Sequence, residues 1–331
     1  MAKLKYIILG GIAIIHLLVL GFMVMTPDKE KQQAAGKTAT EAGAPAVPLS
    51  PPEPAGSLFT PYAPDYFTVS SRPLPKTIEK RTGEISAGAV VDLTSRTVYW
   101  GKHLLQAYPM ASMTKMMTAL LVVETLHESE GRLSLETPVR VTVAASKIGG
   151  RQVWLDPRES LTIDELLKCV LIRSANDCAY LLGEFLGGSE SVFVARMNER
   201  AKELGCRQFI FYNTHGLPDN GRENLGSPAE LAFLAGVLMD IPEIVRWTTV
   251  RRDAIREDRK IFYLDTTNSL LGRCPGVNGM KTGMTNKAGH CITVTCERDG
   301  RRLVVVVMGA ANGKSRDALA RDLLEWGYAQ Q

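Results

Sequence analysis

The 331-residue sequence has no cysteine pair spaced C-x-x-C and no Cys/His cluster at zinc spacing, which argues against a metal centre. It contains no G-x-S-x-G, no H-E-x-x-H, no G-x-x-x-x-G-K and no G-x-G-x-x-G following a strand. Common hydrolase, metalloprotease and nucleotide-binding signatures are therefore missing, and nothing points to a cofactor. Aromatic residues make up only 7%, and no Lys/Arg block is interleaved with them. With a formal charge of only +4, nucleic acid is not an expected partner, although a weakly basic face suits an anionic envelope polymer or a membrane surface. The histidines offer no obvious catalytic triad, since His16 lies in an apolar run and His103, His127, His215 and His290 are scattered. No internal repeat is visible.

What is present begins with "MAKLK" and then "YIILGGIAIIHLLVLGFMVM", residues 6–25, whose only strongly polar residue is His16. Twenty such residues suffice to cross roughly 30 Å of hydrocarbon. Lys3 and Lys5 precede the run, so residues 1–5 are expected in the cytoplasm and the remainder outside. An uncleaved anchor is the preferred reading over a signal peptide, because no small-x-small site follows promptly; both export the chain. Residues 26–64 include "GAPAVPLSPPEPAG" and read as a Pro/Ala-rich tether too poor in apolar surface to fold. A folded domain is expected over residues 65–331, with its six cysteines, Cys169, Cys178, Cys206, Cys274, Cys291 and Cys296, serving mainly as small core hydrophobes. An exported domain also leaves one or two disulfides open.

Within that domain, "ISAGAVVDLTSRTVYWG" (85–101) patterns as two short strands, and "GVNGMKTGMT" and "AGHCITVTCERDGRRLVVVVMGA" as strands with a hairpin at "ERDGR". Helical spacing covers 112–126, 162–173, 175–187, 189–205 and 227–240, with Thr162, Ser174, Ser189 and Ser227 as opening caps, and "SRDALARDLLEWGY" closes the chain. Strands at both ends and helices between predict an α+β fold, an antiparallel sheet carrying an inserted helical region.

The chemistry is expected in "PMASMTKMMTAL" (109–120), where Ser112 and Lys115 lie one helical turn apart. A lysine partly buried there loses hydration of its charged form, so a neutral amine becomes available near pH 7 to take the Ser112 hydroxyl proton. On its own the pattern is weak. About one S-x-x-K is expected by chance in a chain this long, and Lys115 could equally snorkel off a core helix. Two further patterns follow in order, Ser174-Ala175-Asn176 and Lys281-Thr282-Gly283. Such a joint occurrence is expected by chance roughly once in a hundred chains or fewer.

This set, S-x-x-K, S-x-N and K-T-G, is similar to that of the β-lactamases and penicillin-binding proteins. From about Ile85 to Tyr328 the chain resembles the low-molecular-mass penicillin-binding proteins, the serine D-alanyl-D-alanine carboxypeptidases. The stretches "RESLTIDELLKCVLIRSANDCA", "MNERAKELG", "FYNTHGLPD", "TTNSLLGRCPGVNGMKTGMTNKAGHC" and "MGAANGKSRDALARDLLEWGY" carry it with the three motifs. The resemblance implies a five-stranded antiparallel sheet beside an α-helical region, with the active site between them. It also implies peptidoglycan stem peptides ending in D-Ala-D-Ala as substrates, β-lactams as covalent inhibitors and an extracytoplasmic site on a bacterial membrane.

By the same resemblance Ser112 is the acylated nucleophile and Lys115 its base, Ser174 relays a proton to the leaving D-alanine, and Asn176 bonds Lys115 and the substrate amide. Lys281 and Thr282 would bind the terminal carboxylate, Gly283 would let substrate backbone lie against the strand, and the N–H groups of Ser112 and Met284 would form the oxyanion hole. Asn213 and His215 read as structural, and Asn268 and Arg316 take no assigned chemistry.

Two departures stand out: Ala175 replaces a common glycine, straining the turn if φ there is positive, and Met284 replaces a common histidine. The chain also stops at Gln331 without the C-terminal β-rich domain of many members, so attachment is expected through residues 6–25. A D,D-endopeptidase and a penicillin-binding sensor acylated without turnover are the alternatives. A β-lactamase is disfavoured because Glu-x-x-Leu-Asn is absent between the second and third motifs.

Overall fold

The computed structural model describes residues 60–63, 65–258 and 260–330. The expected anchor at 6–25 and nearly all of the expected tether lie outside the described residues. Among the described residues no helix is long and apolar enough to cross a membrane.

The central sheet comprises β1 (Thr68–Val69), β2 (Ala87–Asp92), β3 (Thr97–Lys102), β4 (Val277–Thr285), β5 (Gly289–Arg298) and β6 (Arg301–Ala310), in the order β1-β3-β2-β6-β5-β4. Five of these strands are antiparallel and come from both ends of the domain, as expected. The sheet nevertheless has a sixth, two-residue strand: β1 pairs in parallel with β3, through Thr68 to Thr97 and Val69 to Val98. Two residues carry no periodicity, which is why β1 is invisible in the sequence. The "ERDGR" hairpin forms as read, with Arg298 opposite Arg301.

Both faces of the sheet are covered, which explains why "LVVVV" runs apolar instead of alternating. Val304, Val306 and Met308 of β6 join the core shared with the helical region, whereas Leu303, Val305 and Val307 face the opposite way. There they pack with Ile78 of α1 (Lys76–Gly83) and with Leu319, Leu323 and Leu324 of the closing helix.

The helical region contains α2 (Lys115–Glu128), α3 (Ile163–Lys168), α4 (Asn176–Gly187), α5 (Glu190–Glu203), α6 (Pro228–Met239) and α7 (Pro242–Thr248); the closing helix is α8 (Gly313–Tyr328). Three of the four expected caps hold. Thr162 forms a reciprocal capping box with Glu165, Ser189 accepts from Val192 N–H, and Ser227 accepts from Glu230 N–H. Ser174 is not a cap. The helix expected over 162–173 is α-helical only to Lys168, then widens into a π turn over Cys169–Arg173, and Ser174 ends it at φ +65° with its N–H on the Cys169 carbonyl. Its hydroxyl accepts from Lys281 and makes no cap bond to α4, whose N-cap is Ala175 at φ −64°. The condition for strain at Ala175 is therefore not met: the positive φ falls on Ser174, and alanine sits unstrained. All six cysteines are buried free thiols.

Candidate active site

Ser112 lies in a 3₁₀ turn (Ala111–Thr114) that runs directly into α2 at Lys115. Met113, Met116, Met117 and Leu120 are fully buried and lock this segment into the core, so Lys115 cannot swing out; it is itself 0% exposed. Its Nζ reaches three oxygens: Ser112 Oγ at 3.1 Å, Asn176 Oδ1 at 2.6 Å and the His215 carbonyl at 2.6 Å. An ammonium would donate to all three. A neutral amine keeps its two N–H groups on the two 2.6 Å acceptors and turns its lone pair toward the Ser112 hydroxyl, which is the arrangement a base requires. Burial, reinforced by the Arg151 charge and opposed by Asp177, lowers the Lys115 pKa to about 7.

Asn176 is held from two further sides, its N–H on the Arg151 carbonyl at 2.7 Å and its Nδ2 on the Gly149 carbonyl at 2.9 Å. The neighbouring Asp177 carboxylate accepts N–H bonds from Val153, Leu155 and Cys178. The 149–155 segment and the start of α4 therefore form one hydrogen-bonded unit behind Lys115. A side chain at Gly150, at φ +74°, would strike Asn176 Nδ2 at 2.6 Å. The "IGG" turn was the available sequence signal for this support, and Asp177 could be suspected only as an acid in the first turn of α4.

The strand β4 closes the site. It is an edge strand of the sheet and carries Lys281-Thr282-Gly283. Lys281, 1% exposed, donates to Ser174 Oγ at 2.8 Å and to the Thr282 carbonyl at 3.0 Å. Burial, then the charges of Lys115, Arg151 and Arg316, hold its pKa well below the usual lysine range. Thr282 Oγ1 donates to Thr267 Oγ1 at 2.7 Å.

Gly283 has a reason the sequence did not disclose. A Cβ there would lie 2.8 Å from the Met110 carbonyl oxygen and 2.9 Å from Ser112 N, so the close partner is the Ser112 turn itself. Met284 directs its side chain outward, 56% exposed.

Residues 76–312 match the family model described as D-alanyl-D-alanine carboxypeptidase. The chain belongs to this family. D-alanyl-D-alanine carboxypeptidase DacF of Bacillus subtilis (strain 168) is 35% identical over 256 residues, covering 76% of this chain and 65% of that protein. DacB2 of Mycobacterium tuberculosis is 30% identical over 250 residues, 75% of this chain and 83% of its own. Among solved structures, Penicillin-Binding Protein D2 from Listeria monocytogenes in its ampicillin-bound form matches with a TM-score of 0.67 at 28% identity, over 74% of this chain and 97% of that one. The chain thus spans just under two thirds of the Bacillus relative's length.

Within this member of the carboxypeptidase family, the expected site residues from all three motifs converge, and the "NTHGL" turn joins them. Asn213 Oδ1 accepts from the N–H groups of His215 and Gly216, while Thr214 is tied to Glu190 and Thr118. This fixes the His215 carbonyl that Lys115 uses. The imidazole itself is driven down to a pKa of about 3 by burial and by Lys115, so it is neutral and structural at pH 7. Gly216, at φ +87°, packs so tightly on the Ser112 turn that a Cβ would overlap the Ala111 carbonyl. Asn268 donates to the Gly279 carbonyl at 2.8 Å, and Arg316 bonds Asp317 and the Cys291 carbonyl.

Proposed function

We propose that this chain is a serine D-Ala-D-Ala carboxypeptidase that removes the terminal D-alanine from peptidoglycan stem peptides through an acyl-enzyme on Ser112. The observation that carries the reading is the buried Lys115 amine, 3.1 Å from Ser112 Oγ and poised to be neutral near pH 7. Ser112 attacks the penultimate D-alanyl carbonyl as Lys115 takes its proton, and the N–H groups of Ser112 and Met284 stabilise the oxyanion. Ser174, bridged to Lys281 at 2.8 Å, passes a proton to the leaving amine. The low pKa tendency of Lys281 suits it to hold a proton only when a carboxylate arrives, and Lys281 with Thr282 receives the terminal carboxylate. Asn176 holds Lys115 and the substrate amide, and Gly283 keeps β4 against the nucleophile turn. Water then hydrolyses the ester.

A β-lactam presents a strained amide to the same serine and is expected to acylate it. That relatives carry the carboxypeptidase name, and that one neighbour was solved with ampicillin bound, supports both parts. In the cell, residues 6–25 would anchor the chain in the membrane and residues 26–64 would hold the catalytic domain, from about residue 65, on the extracytoplasmic side. The test is release of D-alanine from a D-Ala-D-Ala-terminated peptide by the full chain. Release that is abolished in Ser112→Ala supports the reading; release that survives this change, or none from wild type, overturns it.

A further inference from the structure

The segment 149–155 is gripped by the start of α4 on one side and by a single arginine on the other. Toward the site, the Gly149 and Arg151 carbonyls accept from Asn176, and the Val153 and Leu155 N–H groups donate to Asp177 at 3.1 and 3.3 Å. On the far side, Arg256 Nη1 donates to the Val153 carbonyl at 2.9 Å and Nη2 to the Trp154 carbonyl at 3.2 Å, while Nε and Nη2 fork over the Glu159 carboxylate at 2.8 and 2.5 Å. Glu159 is fixed in turn by the Asp156 N–H, which donates to its Oε1 at 2.9 Å. From the Arg256 guanidinium to the base the path is unbroken: Val153, Asp177, its neighbour Asn176, and the 2.6 Å bond from Lys115 Nζ.

Stability alone does not explain this arrangement. The Arg256 and Glu159 side chains are only 12% and 5% exposed, and a buried ion pair adds little net stability over apolar residues of similar size, because desolvation offsets the attraction. Arg256, at φ +60°, and Trp154, at φ +54°, also both occupy the left-handed region without being glycine, a strain that the surrounding bonds must hold. Both penalties fall on one contact, the one that fixes the backbone at 153–155. The element that carries Arg256 is anchored independently. It follows the first strand of a hairpin, Arg252–Ile255 paired with Phe262–Asp265, whose Ala254 carbonyl accepts from Lys168 Nζ at 3.1 Å and whose Asp253 lies 3.4 Å from the same amine. Just beyond the hairpin, the Thr267 N–H donates to the Ile172 carbonyl and the Thr267 hydroxyl accepts from Thr282. The hairpin and its exit thus touch the wall that bears Asn176, the π turn that ends at Ser174 and the strand that bears Lys281.

We infer that Arg256 is a positioning residue for the proposed reaction: through the Val153 and Trp154 carbonyls it holds the 149–155 segment where Asn176 Oδ1 stays on Lys115, and so keeps the Lys115 amine aimed at Ser112 Oγ. The inference rests on the proposed acylation of Ser112, and it gives Arg256 no contact with substrate. Without the guanidinium the 153–155 backbone is free to leave Asp177, Asn176 loosens, and proton transfer from Ser112 slows. Lys281, Thr282 and Gly283, which would receive the substrate, belong to β4 and keep their contacts.

The test uses the full chain, with acylation of Ser112 followed at increasing penicillin concentration and stability read by thermal melting. Arg256→Met is expected to lower the limiting acylation rate by about tenfold to a hundredfold, with the half-saturating concentration within about twofold of wild type. Arg256→Lys, which keeps the charge but not the fork, should recover only part of that rate. Arg256→Met/Glu159→Leu removes the carboxylate left unpaired, so its melting should return toward wild type while acylation stays slow. Arg301→Met breaks a different pair, with Asp92 at 2.6 Å, at the β5–β6 hairpin end of the sheet, and should lower melting without changing the limiting rate. With no ligand present, amide exchange across 149–156 should be faster in Arg256→Met/Glu159→Leu than in Arg301→Met. An unchanged limiting rate in Arg256→Met, a rate that recovers together with melting in the double variant, or a half-saturating concentration that rises as much as the rate falls overturns the inference, as does unchanged amide exchange. Failure of wild type to be acylated on Ser112 overturns instead the underlying reading, and amide exchange then decides whether Arg256 holds the segment.

Discussion

At the scale of single residues, the form of Lys115 that meets Ser112 decides the chemistry proposed for the site. Burial penalises the ammonium by several kcal/mol, and hydrogen bonds to Asn176 Oδ1 and the His215 carbonyl recover only part, so the balance tips toward the amine near pH 7. Lys115→Arg keeps a cation but cannot accept a proton, so we expect acylation of Ser112 by a penicillin to slow by about 10²- to 10⁴-fold, comparable to Lys115→Ala, in a stopped-flow fluorescence assay. Ser174 separates backbone from chemistry. At φ +65° a glycine is favoured over alanine by about 1 kcal/mol, so Ser174→Gly should exceed Ser174→Ala in denaturant stability by that amount. Both should lose turnover alike, because both remove the hydroxyl that Lys281 contacts.

At the scale of elements, the site is a meeting of four short segments: the Ser112–Lys115 segment is locked by apolar packing, and hydrogen bonds tie the start of α4 and the 213–217 turn to it. The nucleophile turn is pressed between β4 at Gly283 and the 213–217 turn at Gly216. Gly216→Ala is therefore expected to reduce both stability, by several kcal/mol, and penicillin labelling; retention of wild-type melting and labelling would show that the turn yields freely.

The helices and their caps at Thr162, Ser189 and Ser227 were legible because capping and 3.6-residue periodicity are local. Ser174 misled for the same reason: as a residue before a helix it resembles a cap, and only the preceding π turn and the contact with Lys281 reassign it. The His215 carbonyl and the Thr267 hydroxyl were hidden because a backbone acceptor carries no residue signature and a lone threonine carries no spacing.

At the scale of the whole molecule, the site lies where the sheet edge meets the helical region, and a second ionisable group is buried away from the chemistry. Glu230 opens α6 at the position expected for a capping-box glutamate, yet it is buried, with Oε1 accepting from Gln208 N–H. Burial raises its pKa from 4.5 to about 7. The folded state thus holds this proton more tightly than the unfolded chain, and stability falls as pH rises from about 4.5 to 7. Glu230→Gln removes the ionisation, so its advantage over wild type should grow between pH 5 and pH 8 by on the order of 2 to 3 kcal/mol, read by urea unfolding at both values. An advantage independent of pH would contradict this.

The most direct test of the central claim is the rate at which a penicillin acylates the full chain as a function of pH, with the adduct located by peptide mass. A single adduct on Ser112 is expected, its rate climbing as pH rises through about 7, as Lys115 gives up its proton, and the climb disappearing in Lys115→Ala. An adduct on another residue, or a Ser112 rate indifferent to pH between 5 and 9, would contradict it.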